Sequence, residues 1–388
     1  MCMLNLVAEE HIDITDSMDA PLMKGEILVE SGRFMDQLEV DLESATESVF
    51  VQAMSFEGDD AGHRLIDAML TSKAKDKRIC IDSYSKAVIN DHFIHSTRYL
   101  TSSSFRNEVR ETKRLIAHAK KSGIQIHFTN SLGFLMHKYP LRNHKKMVVI
   151  DGQISYIGGI NFTDHNFEWH DFMLRVDSHQ VGHLMSGDFN HTFYDQNQSV
   201  MHNVEDGELY FFDGYRSRGL YDQLFSHLKQ AKKQIQILSP YVSNPLLGYI
   251  EKYVDGNVDV QIVTPGLNNK SIFKDYLINE LEKKYFRLFE LPDIMSHLKS
   301  ILIDGEKLIL GSSNFDFASY YLEQEVVMIT WNKQIVEDYT KKILEPDTQN
   351  SIEVFPTGNT ENSTNSRKIK IAEAGCSRIG KMAYKRYK

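Results

Sequence analysis

The chain has 388 residues, of which 41% are apolar, so it is long enough to bury two cores of ordinary size. Its formal net charge of -9 argues against a general nucleic-acid binder, because such proteins carry an excess of positive charge. Its cysteines, Cys2, Cys80 and Cys376, are spaced too widely for a structural zinc site or a disulfide framework. Neither a secretory signal nor an apolar run long enough to span a bilayer is found, which predicts a cytoplasmic protein.

The first half of the chain reads as alternating strands and helices. Residues 1–35 are predicted to form an N-terminal extension and residues 36–200 a first α/β half. That half opens with "SATESVFVQAMSF", a helix end that runs into an alternating strand, and continues with a helix-like segment and a short strand. An extra segment is predicted within residues 85–122, and it includes most of the basic helical stretch "RNEVRETKRLIAHAKKSG".

The same order of elements returns in residues 201–345, predicted to form a second half. It opens with "KQAKKQIQILSPYV" and continues with the helix-like "LLGYIEKYV" and the strand-like "VDVQIV". Residues 346–388 are predicted to form a basic, flexible C-terminal tail, since eight Lys or Arg face one Glu from residue 367 onward. The predicted fold class is α/β, a duplicated pseudo-twofold arrangement in which each half is a mostly parallel or mixed β-sheet flanked by helices.

Two stretches show the repeat most clearly, "NHKKMVVIDGQISYIGGIN" at 143–161 and "SHLKSILIDGEKLILGSSN" at 296–314. In both, a His, a Lys, an Asp, a Gly and an Asn stand at offsets 0, 2, 7, 14 and 17. These residues are His144, Lys146, Asp151, Gly158 and Asn161 in the first stretch, and His297, Lys299, Asp304, Gly311 and Asn314 in the second. A five-point match that occurs twice in register excludes coincidence and indicates a shared role.

The repeated residue types suit phosphate chemistry. The His and the Lys lie two apart on a strand, so both side chains point to one face, and the hairpin predicted at "DG" returns the Asn to their neighbourhood. An ammonium and a carboxamide can bind phosphate oxygens, while an imidazole can attack phosphorus or transfer a proton near neutral pH. Two such sets brought together would provide one histidine for attack and one to protonate the leaving group, with no metal or other cofactor.

Four carboxylates accompany these sets. The odd offset of seven puts Asp151 and Asp304 at the hairpin turn, away from the His/Lys face, which predicts structural roles. Metal ligation by them is not predicted, because no carboxylate cluster lies beside them. Asp171 and Glu325 stand 27 and 28 residues after the histidine of their own half, and each opens an apolar strand. We predict that they accept the other ring N–H of the histidines and orient the imidazoles.

Small residues complete both stretches. Gly158 and Gly311 are predicted to let the backbone come close to a ligand or to the other half. Gly159 and Ser313, which stand beside them, are predicted to contact the substrate.

These residues resemble the phospholipase D superfamily, whose HxK(x)4D(x)6GxxN signature is present here in two copies. Within it, "LRNHKKMVVIDG", "GGIN", "EWHD" and "GSSNFD" are similar to the bacterial cardiolipin synthase branch, and the likeness covers about residues 40–335. The resemblance implies a two-step exchange through a phosphohistidine, with one histidine as nucleophile and the other as general acid and then base. His144 is preferred as the nucleophile. The residues implied to hold the phosphate are Lys146, Lys299, Asn161 and Asn314.

The resemblance implies that a phosphatidyl group passes from one phosphatidylglycerol to another, with release of glycerol. With water as the acceptor, the same site would be a phospholipase D hydrolase. The nearest alternative is a nuclease or phosphodiesterase acting on nucleic acid, which the acidic balance and the internal duplication disfavour. A scaffold that retains the fold without turnover is the alternative from another class, and the presence of both complete sets disfavours it.

The expected partners are a phospholipid substrate and an anionic membrane surface, and nucleic acid is not expected. The basic helix of the extra segment and the basic tail are the candidate contacts with anionic lipid, which would place the protein peripherally on the inner face of the membrane. A solvated helix face and a solubilising tail are the simpler readings of the same charges. The sequence makes no prediction about the oligomeric state.

Overall fold

A computed structural model describes residues 23–283, 285–356 and 360–386, and the first 22 residues of the predicted extension lie outside the described part of the chain. The elements of the first half are β1 (Lys24–Val29), α1 (Ser31–Ser44), β2 (Ser48–Ala53), α2 (Asp60–Thr71), β3 (Asp76–Asp82), β4 (Val88–Ile89), β5 (His92–Phe93), α3 (Thr97–Thr101), α4 (Ser103–Lys121), β6 (Gln125–Thr129), β7 (Met147–Ile150), β8 (Ile154–Gly158), α5 (Asp164–Phe167), β9 (Phe172–Asp177) and α6 (His179–Phe193).

The second half repeats this order and then continues into the C-terminal region. Its elements are β10 (Val200–Val204), β11 (Gly207–Asp213), α7 (Arg218–Ser226), β12 (Gln234–Leu238), α8 (Leu246–Tyr253), β13 (Asp259–Pro265), α9 (Ile272–Glu280), β14 (Arg287–Leu291), β15 (Ser300–Ile303), β16 (Lys307–Gly311), α10 (Phe317–Tyr321), β17 (Gln324–Thr330), α11 (Lys333–Tyr339), α12 (Glu345–Asn350), β18 (Ile352–Val354) and α13 (Thr360–Arg386).

Each half is built on one large mixed sheet, which confirms the predicted duplicated α/β class. The strand order is β1-β9-β8-β7-β2-β3-β6 in the first sheet and β10-β11-β17-β16-β15-β12-β13-β14-β18 in the second. The pairs β2–β3, β3–β6, β12–β13 and β13–β14 are parallel, and the other pairs within these two sheets are antiparallel. Of the predicted alternatives, mostly parallel or mixed, the sheets are mixed, and antiparallel pairs predominate in them. One reason is that the hairpins β7–β8 and β15–β16 join neighbouring strands by short turns.

The two sheets pack face to face across one shared apolar layer. Val149 and Ile157 of the first sheet and Leu302 and Leu310 of the second belong to this layer, and each is no more than 1% exposed. Helices α1, α2 and α4 cover the outer face of the first sheet, and α7, α8 and α9 cover that of the second. Burial on both faces explains why β7 and β15 read as apolar runs rather than as alternating strands.

Most of the extra residues of the first half fall in two places, not only within the predicted segment 85–122. One place is 83–102, which carries the β4–β5 hairpin and α3, and the other is the loop 130–142 between β6 and the first motif. The basic helix α4 is not an insertion. It links the parallel strands β3 and β6, as α9 links β13 and β14, because parallel neighbours require a crossover connection.

The predicted boundaries of the two halves also change. Strand β1, within the predicted extension 1–35, pairs with β9 and forms the edge of the first sheet. The predicted flexible tail from 346 instead contributes β18, which pairs with β14, and the helix α13. Ile369 of α13 is 3% exposed, and Asn365 donates to Asp275 of α9 at 2.7 Å. In the part of the chain described here, no helix combines the length and the apolar composition that a membrane crossing requires.

Candidate active site

The two repeated motifs meet at the interface between the halves. His144 and His297 each lie just before the first strand of a motif hairpin, β7 or β15. Main-chain bonds tie each histidine to the opposite half: the amide of His144 donates to the carbonyl of Gln324 at 2.9 Å, and that of His297 to the carbonyl of His170 at 2.7 Å. The pseudo-twofold arrangement therefore brings both histidines to one site.

The imidazole of each motif histidine is hydrogen bonded to a carboxylate from the other half. Nδ1 of His144 lies 2.9 Å from Oε1 of Glu325, and Nδ1 of His297 lies 2.7 Å from Oδ2 of Asp171. Spacing alone had associated each carboxylate with the histidine of its own half, whereas the folded chain exchanges the partners. With the Nδ1 proton held by a carboxylate, the lone pair of each Nε2 is directed away from it.

The two carboxylates are supported differently. Glu325 accepts hydrogen bonds from the hydroxyls of Ser312 and Ser319, and the latter is 2.7 Å away. Asp171 accepts the amide of Phe172 at 2.8 Å and packs against Gly159. A Cβ at position 159 would lie 2.3 Å from Oδ2 of Asp171, so only glycine fits there. Gly159, predicted to contact the substrate, is thus placed behind the histidine partner, and Ser312 occupies the equivalent position in the second half.

Ser313 and the two motif glycines face the protein interior. Ser313 is 1% exposed, and its Oγ lies 3.0 Å from the hydroxyl of Tyr221. A Cβ on Gly158 would lie 2.3 Å from the carbonyl oxygen of Phe172, and one on Gly311 would lie 2.2 Å from that of Val326. The close approach at each glycine is therefore to the next strand of its own sheet, which corrects the expectation of a ligand or the other half.

Two buried lysines flank the histidines. Nζ of Lys146 donates to the carbonyl of His144 at 2.8 Å, and Nζ of Lys299 donates to the carbonyl of His297 at 2.7 Å and lies 2.9 Å from Nε2 of the same ring. Burial lowers the pKa of Lys146 to about 8 and that of Lys299 to about 7, although Glu325 and Asp171 oppose the shift. Both side chains can carry the positive charge that a phosphate needs near neutral pH.

The same burial sets the charge of the histidines and their carboxylates. It lowers the pKa of His144 and of His297 well below the usual value, and the neighbouring lysines add to the shift. Burial also raises the pKa of Asp171 to about 6 and that of Glu325 above its usual value. The imidazoles are therefore neutral in the empty site near pH 7.

The two motif asparagines end the hairpins near the histidines and are largely buried. Oδ1 of Asn161 accepts the amide of Ser55 at 3.1 Å, and its Nδ2 donates to Asn166 at 2.9 Å. Oδ1 of Asn314 is buried and has no hydrogen-bond partner among the described residues. That these two carboxamides bind the phosphate, as the resemblance implies, stays a prediction.

The hairpin aspartates bind main-chain amides far from the histidines. Asp151 accepts the amides of residues 46, 47 and 48 at 2.8–2.9 Å. Asp304 accepts those of residues 232, 233 and 234 at 2.8–2.9 Å. Asp151 and Gly152 both have positive φ, as do Asp304 and Gly305, which is the backbone of a tight hairpin turn. Each aspartate thus joins its hairpin to the start of β2 or β12.

Two residues that sequence reasoning missed make the site asymmetric. The ring of Trp169 lies 4.9 Å from that of His297, measured between centroids. At the equivalent position of the second half stands Glu323, whose carboxylate forms a group with His144 and Glu325 in which the donor atoms lie within 4.8 Å of one another. Such spacing can hold a cation, but the positive charge of Lys146 beside it opposes one. Burial raises the pKa of Glu323.

The duplicated mixed sheets, with a His, a Lys and an Asn from each half at their interface, define a protein of the phospholipase D superfamily. A family model described as "Cardiolipin synthase, PLD-like domain" matches residues 38–193 and 224–345. The chain belongs to this cardiolipin synthase-like branch of the superfamily. It is an enzyme of the phosphatidyltransferase or phosphodiesterase class.

The curated relatives that the chain matches are cardiolipin synthases. The chain is 26% identical over 236 residues to a minor cardiolipin synthase of Bacillus subtilis, and the aligned region covers 55% of this chain and 58% of that protein. It is 25% identical over 350 residues to a cardiolipin synthase of Listeria welshimeri, which covers 82% of this chain and 68% of that protein. The matched part is thus little more than half the length of the first relative.

Solved structures agree on the fold. A phosphatidylserine synthase of Haemophilus influenzae superposes with a TM-score of 0.67 at 14% identity and covers 91% of this chain and 95% of that chain. A polyphosphate kinase of Porphyromonas gingivalis superposes with a TM-score of 0.59 at 11% identity and covers 90% of this chain and 56% of that chain. At these identities the likeness concerns the fold alone.

Proposed function

We propose that this protein transfers a phosphatidyl group between glycerophospholipids through a phosphohistidine, and that it makes cardiolipin and glycerol from two molecules of phosphatidylglycerol. The observation that carries the proposal is the pair of facing half-sites, in which each imidazole is oriented by a carboxylate of the other half. A two-step exchange needs one nucleophile and one acid that later acts as a base, and two oriented histidines supply both. The names of the curated relatives support the choice of lipid.

In the first step, Nε2 of His144 attacks the phosphorus of the donor lipid. A nitrogen–phosphorus bond forms, the bond from phosphorus to the headgroup oxygen breaks, and that oxygen takes a proton from Nε2 of His297. Lys146 and Lys299 neutralise the charge on the non-bridging oxygens, which the carboxamides of the motif asparagines also contact. These ammonium groups do the electrostatic work for which other enzymes use a metal ion, so the proposed reaction involves none.

In the second step, the hydroxyl group of a second phosphatidylglycerol gives its proton to Nε2 of His297 and attacks phosphorus. The new phosphorus–oxygen bond forms as the nitrogen–phosphorus bond to His144 breaks, and both histidines return to their starting state. Water in place of that hydroxyl would release phosphatidic acid instead. The acceptor therefore decides between transfer and hydrolysis.

Two features support His144 as the nucleophile. Its carboxylate, Glu325, is held by two serine hydroxyls. Nε2 of His297 lies 2.9 Å from Nζ of Lys299, whereas His144 has no such contact from its own lysine among the described hydrogen bonds. Burial and then the positive charge of the lysines lower the pKa of His297. A phosphodiester between the lysines offsets that charge, so binding of the lipid favours the proton that this acid has to donate.

The test is mass spectrometry of lipids after incubation of the purified protein, with EDTA present, on vesicles of phosphatidylglycerol and phosphatidylethanolamine. We expect cardiolipin and free glycerol, and a loss of about 1,000-fold or more in His144→Ala and in His297→Ala. His63→Ala, which removes an exposed histidine of α2, is the matched control and keeps full activity.

Other products would contradict the proposal in different ways. Phosphatidic acid alone would make the protein a hydrolase. Unchanged lipids together with cleavage of single- or double-stranded DNA or RNA would make it a nuclease. Full activity of both histidine variants would exclude the phosphohistidine route.

A further inference from the structure

The first half carries extra chain at the edge of its sheet that holds the active site. Strands β2, β3 and β6 are parallel, so their carboxyl ends share one edge. At that edge the amide of Ser55, just beyond β2, donates to the motif residue Asn161. The segment 83–102 leaves the sheet there after β3, and the loop 130–142 leaves it after β6 and leads directly into His144. Both additions therefore lie beside the site.

These two additions expose large apolar side chains to solvent. Leu135 is 84% exposed, Phe134 82% and Leu100 78%, and Phe93 and Met136 are also exposed. We call these five residues the apolar rim. Exposed apolar residues scattered singly are ordinary, but three consecutive ones at the tip of a loop, with two more on the neighbouring segment, form a patch typical of an interaction surface.

The rim is held by buried groups. The ring of Phe93 lies 5.6 Å from that of Tyr139, measured between centroids, which joins the β4–β5 hairpin to the loop. Arg142 is 3% exposed, forms an ion pair with buried Asp82, and donates to the carbonyls of Asn130 and Lys138, both at 2.9 Å. The loop is therefore braced at both ends, and its tip projects from a fixed base.

The backbone at the tip is unfavourable for the residues that occupy it. Leu135 has φ 50° and ψ 31°, and Met136 has φ 55°. This left-handed region costs a bulky residue roughly 1 kcal/mol relative to glycine, and asparagine and aspartate enter it more readily. Exposed apolar side chains at the tip do not stabilise the fold. Their presence in a strained backbone therefore indicates that they bind another molecule.

Positive charge lies next to the rim. Lys138 follows the tip within the loop, Arg98 is hydrogen bonded to His92 beside Phe93, and Arg106 donates to the carbonyl of Leu100 at 3.0 Å. Apolar side chains at a loop tip with cations at their base match a bilayer, whose anionic headgroups lie above its acyl chains.

We propose that the apolar rim docks this enzyme on the surface of an anionic phospholipid bilayer, with Phe134 and Leu135 entering the acyl layer, so that the side of the protein that holds the active site faces the membrane. This inference rests on the proposed function only in taking the substrate to be a membrane lipid. The rim belongs to the first half alone, so the two halves do not contact the bilayer equally.

The test measures binding of the full chain to sucrose-loaded vesicles by sedimentation, in a His144→Ala background so that no lipid is consumed. The vesicles contain equal amounts of phosphatidylglycerol and phosphatidylethanolamine, and vesicles of phosphatidylcholine serve as the uncharged comparison. We expect Leu135→Asp to weaken partition onto the anionic vesicles by about tenfold or more. Aspartate tolerates the backbone of residue 135, so the melting temperature should stay the same or rise.

The matched control is Val40→Asp, which changes an equally apolar residue that is 60% exposed on the outer helix α1. Its binding should equal that of the parent protein. Equal binding of the Leu135→Asp and parent proteins, or an equal loss in the Val40→Asp protein, would overturn the inference. The binding test does not depend on turnover, so the two proposals can fail separately. If the parent protein left lipids unchanged in the activity assay but Leu135→Asp still weakened vesicle binding, the proposed function would be refuted and the role of the rim supported.

Discussion

At the scale of single residues, the exchange of carboxylates between the halves governs the chemistry. Glu325 orients His144, and Asp171 orients His297, so one carboxylate supports the proposed nucleophile and the other the proposed acid and base. A carboxylate that accepts the Nδ1 proton fixes the tautomer and stabilises the imidazolium that forms during turnover. The partner of each histidine is therefore set by contact in the folded chain and not by its distance along the sequence.

Substituting the two carboxylates should separate the two steps. In Glu325→Gln, formation of the phosphoenzyme should slow by about 1,000-fold, as in His144→Ala, because the nucleophile loses its orienting partner. In Asp171→Asn, a donor with an activated leaving group should still form the phosphoenzyme, whose breakdown then slows, because His297 no longer acts well as a base. Rapid-quench trapping of the phosphoenzyme measures both steps. Slow formation in Asp171→Asn with normal formation in Glu325→Gln would reverse the assignment of nucleophile and acid.

The pKa values of the empty site predict a bell-shaped dependence of kcat/KM on pH. As pH falls through about 6, Asp171 is protonated and stops accepting the Nδ1 proton of His297. As pH rises through about 7 to 8, Lys299 and then Lys146 lose the positive charge that binds the phosphate. Rising pH also removes the proton that His297 has to donate, because burial and the neighbouring lysines lower the pKa of His297 in the empty site. The optimum of kcat/KM should therefore lie below about 7, and the alkaline limb of kcat should lie higher, because a bound phosphodiester favours the charged lysines and the charged His297.

The variant Lys299→Arg tests whether the loss of charge on a lysine causes the fall of kcat/KM at high pH. Lys299→Arg keeps a positive charge at high pH, so its kcat/KM should be lower at the optimum but should fall off at a higher pH than in the parent protein. If kcat/KM of the parent protein stayed constant between pH 6 and 10, the assignment of the alkaline limb to a lysine would be wrong.

The residues that the sequence identified most directly are the ones that occur twice. The His, the Lys and the Asn of each motif were recognised because both copies have the same side chain at the same offset. Trp169 and Glu323 occupy equivalent positions with different side chains, so comparing the copies for identity passes over them. Ser312, which stands opposite the predicted Gly159, was passed over for the same reason. The partner exchange was out of reach for another reason, since residues 144 and 325 are 181 positions apart and meet only in the folded chain.

At the scale of elements, the helix α13 replaces the predicted flexible tail. Its composition, rich in Asn, Ser, Lys and Arg, is typical of disorder. Its buried positions, however, repeat at helical spacing and are small or polar except for Ile369, as with Ser366 and Gly380. A Cβ at Gly380 would lie 2.7 Å from the ring of Tyr215, which shows how closely the helix approaches the second half. An apolar stripe that weak gives no periodic signal in the sequence.

Two isoleucines of α13 test its packing. Ile369 is 3% exposed and belongs to the core of the second half, whereas Ile371 is 72% exposed. Ile369→Ala should lower the free energy of unfolding by about 2–3 kcal/mol, from the lost burial and the cavity that remains. Ile371→Ala should change it by less than about 0.5 kcal/mol. Urea denaturation of the two variants measures the difference, and equal stabilities would mean that α13 does not pack on the protein.

At the scale of the whole molecule, the apolar layer between the sheets makes the two halves one folding unit. Its residues come from both sheets and from helices α6 and α11, so separating the halves would expose a sheet face on each. The repeat in the sequence predicted two similar halves and their common site. It could not predict the face by which they pack, because strands buried on both sides carry no alternation that marks one face as the interface.

The exchange of carboxylates also bears on how the two halves of this chain can change over time. A substitution at position 171 acts on the histidine of the second half, and one at position 325 acts on the histidine of the first. Each half therefore depends on the other for the orientation of its own histidine. A half taken from a relative would have to match the half that receives it, so the inherited unit of this active site is the pair of halves.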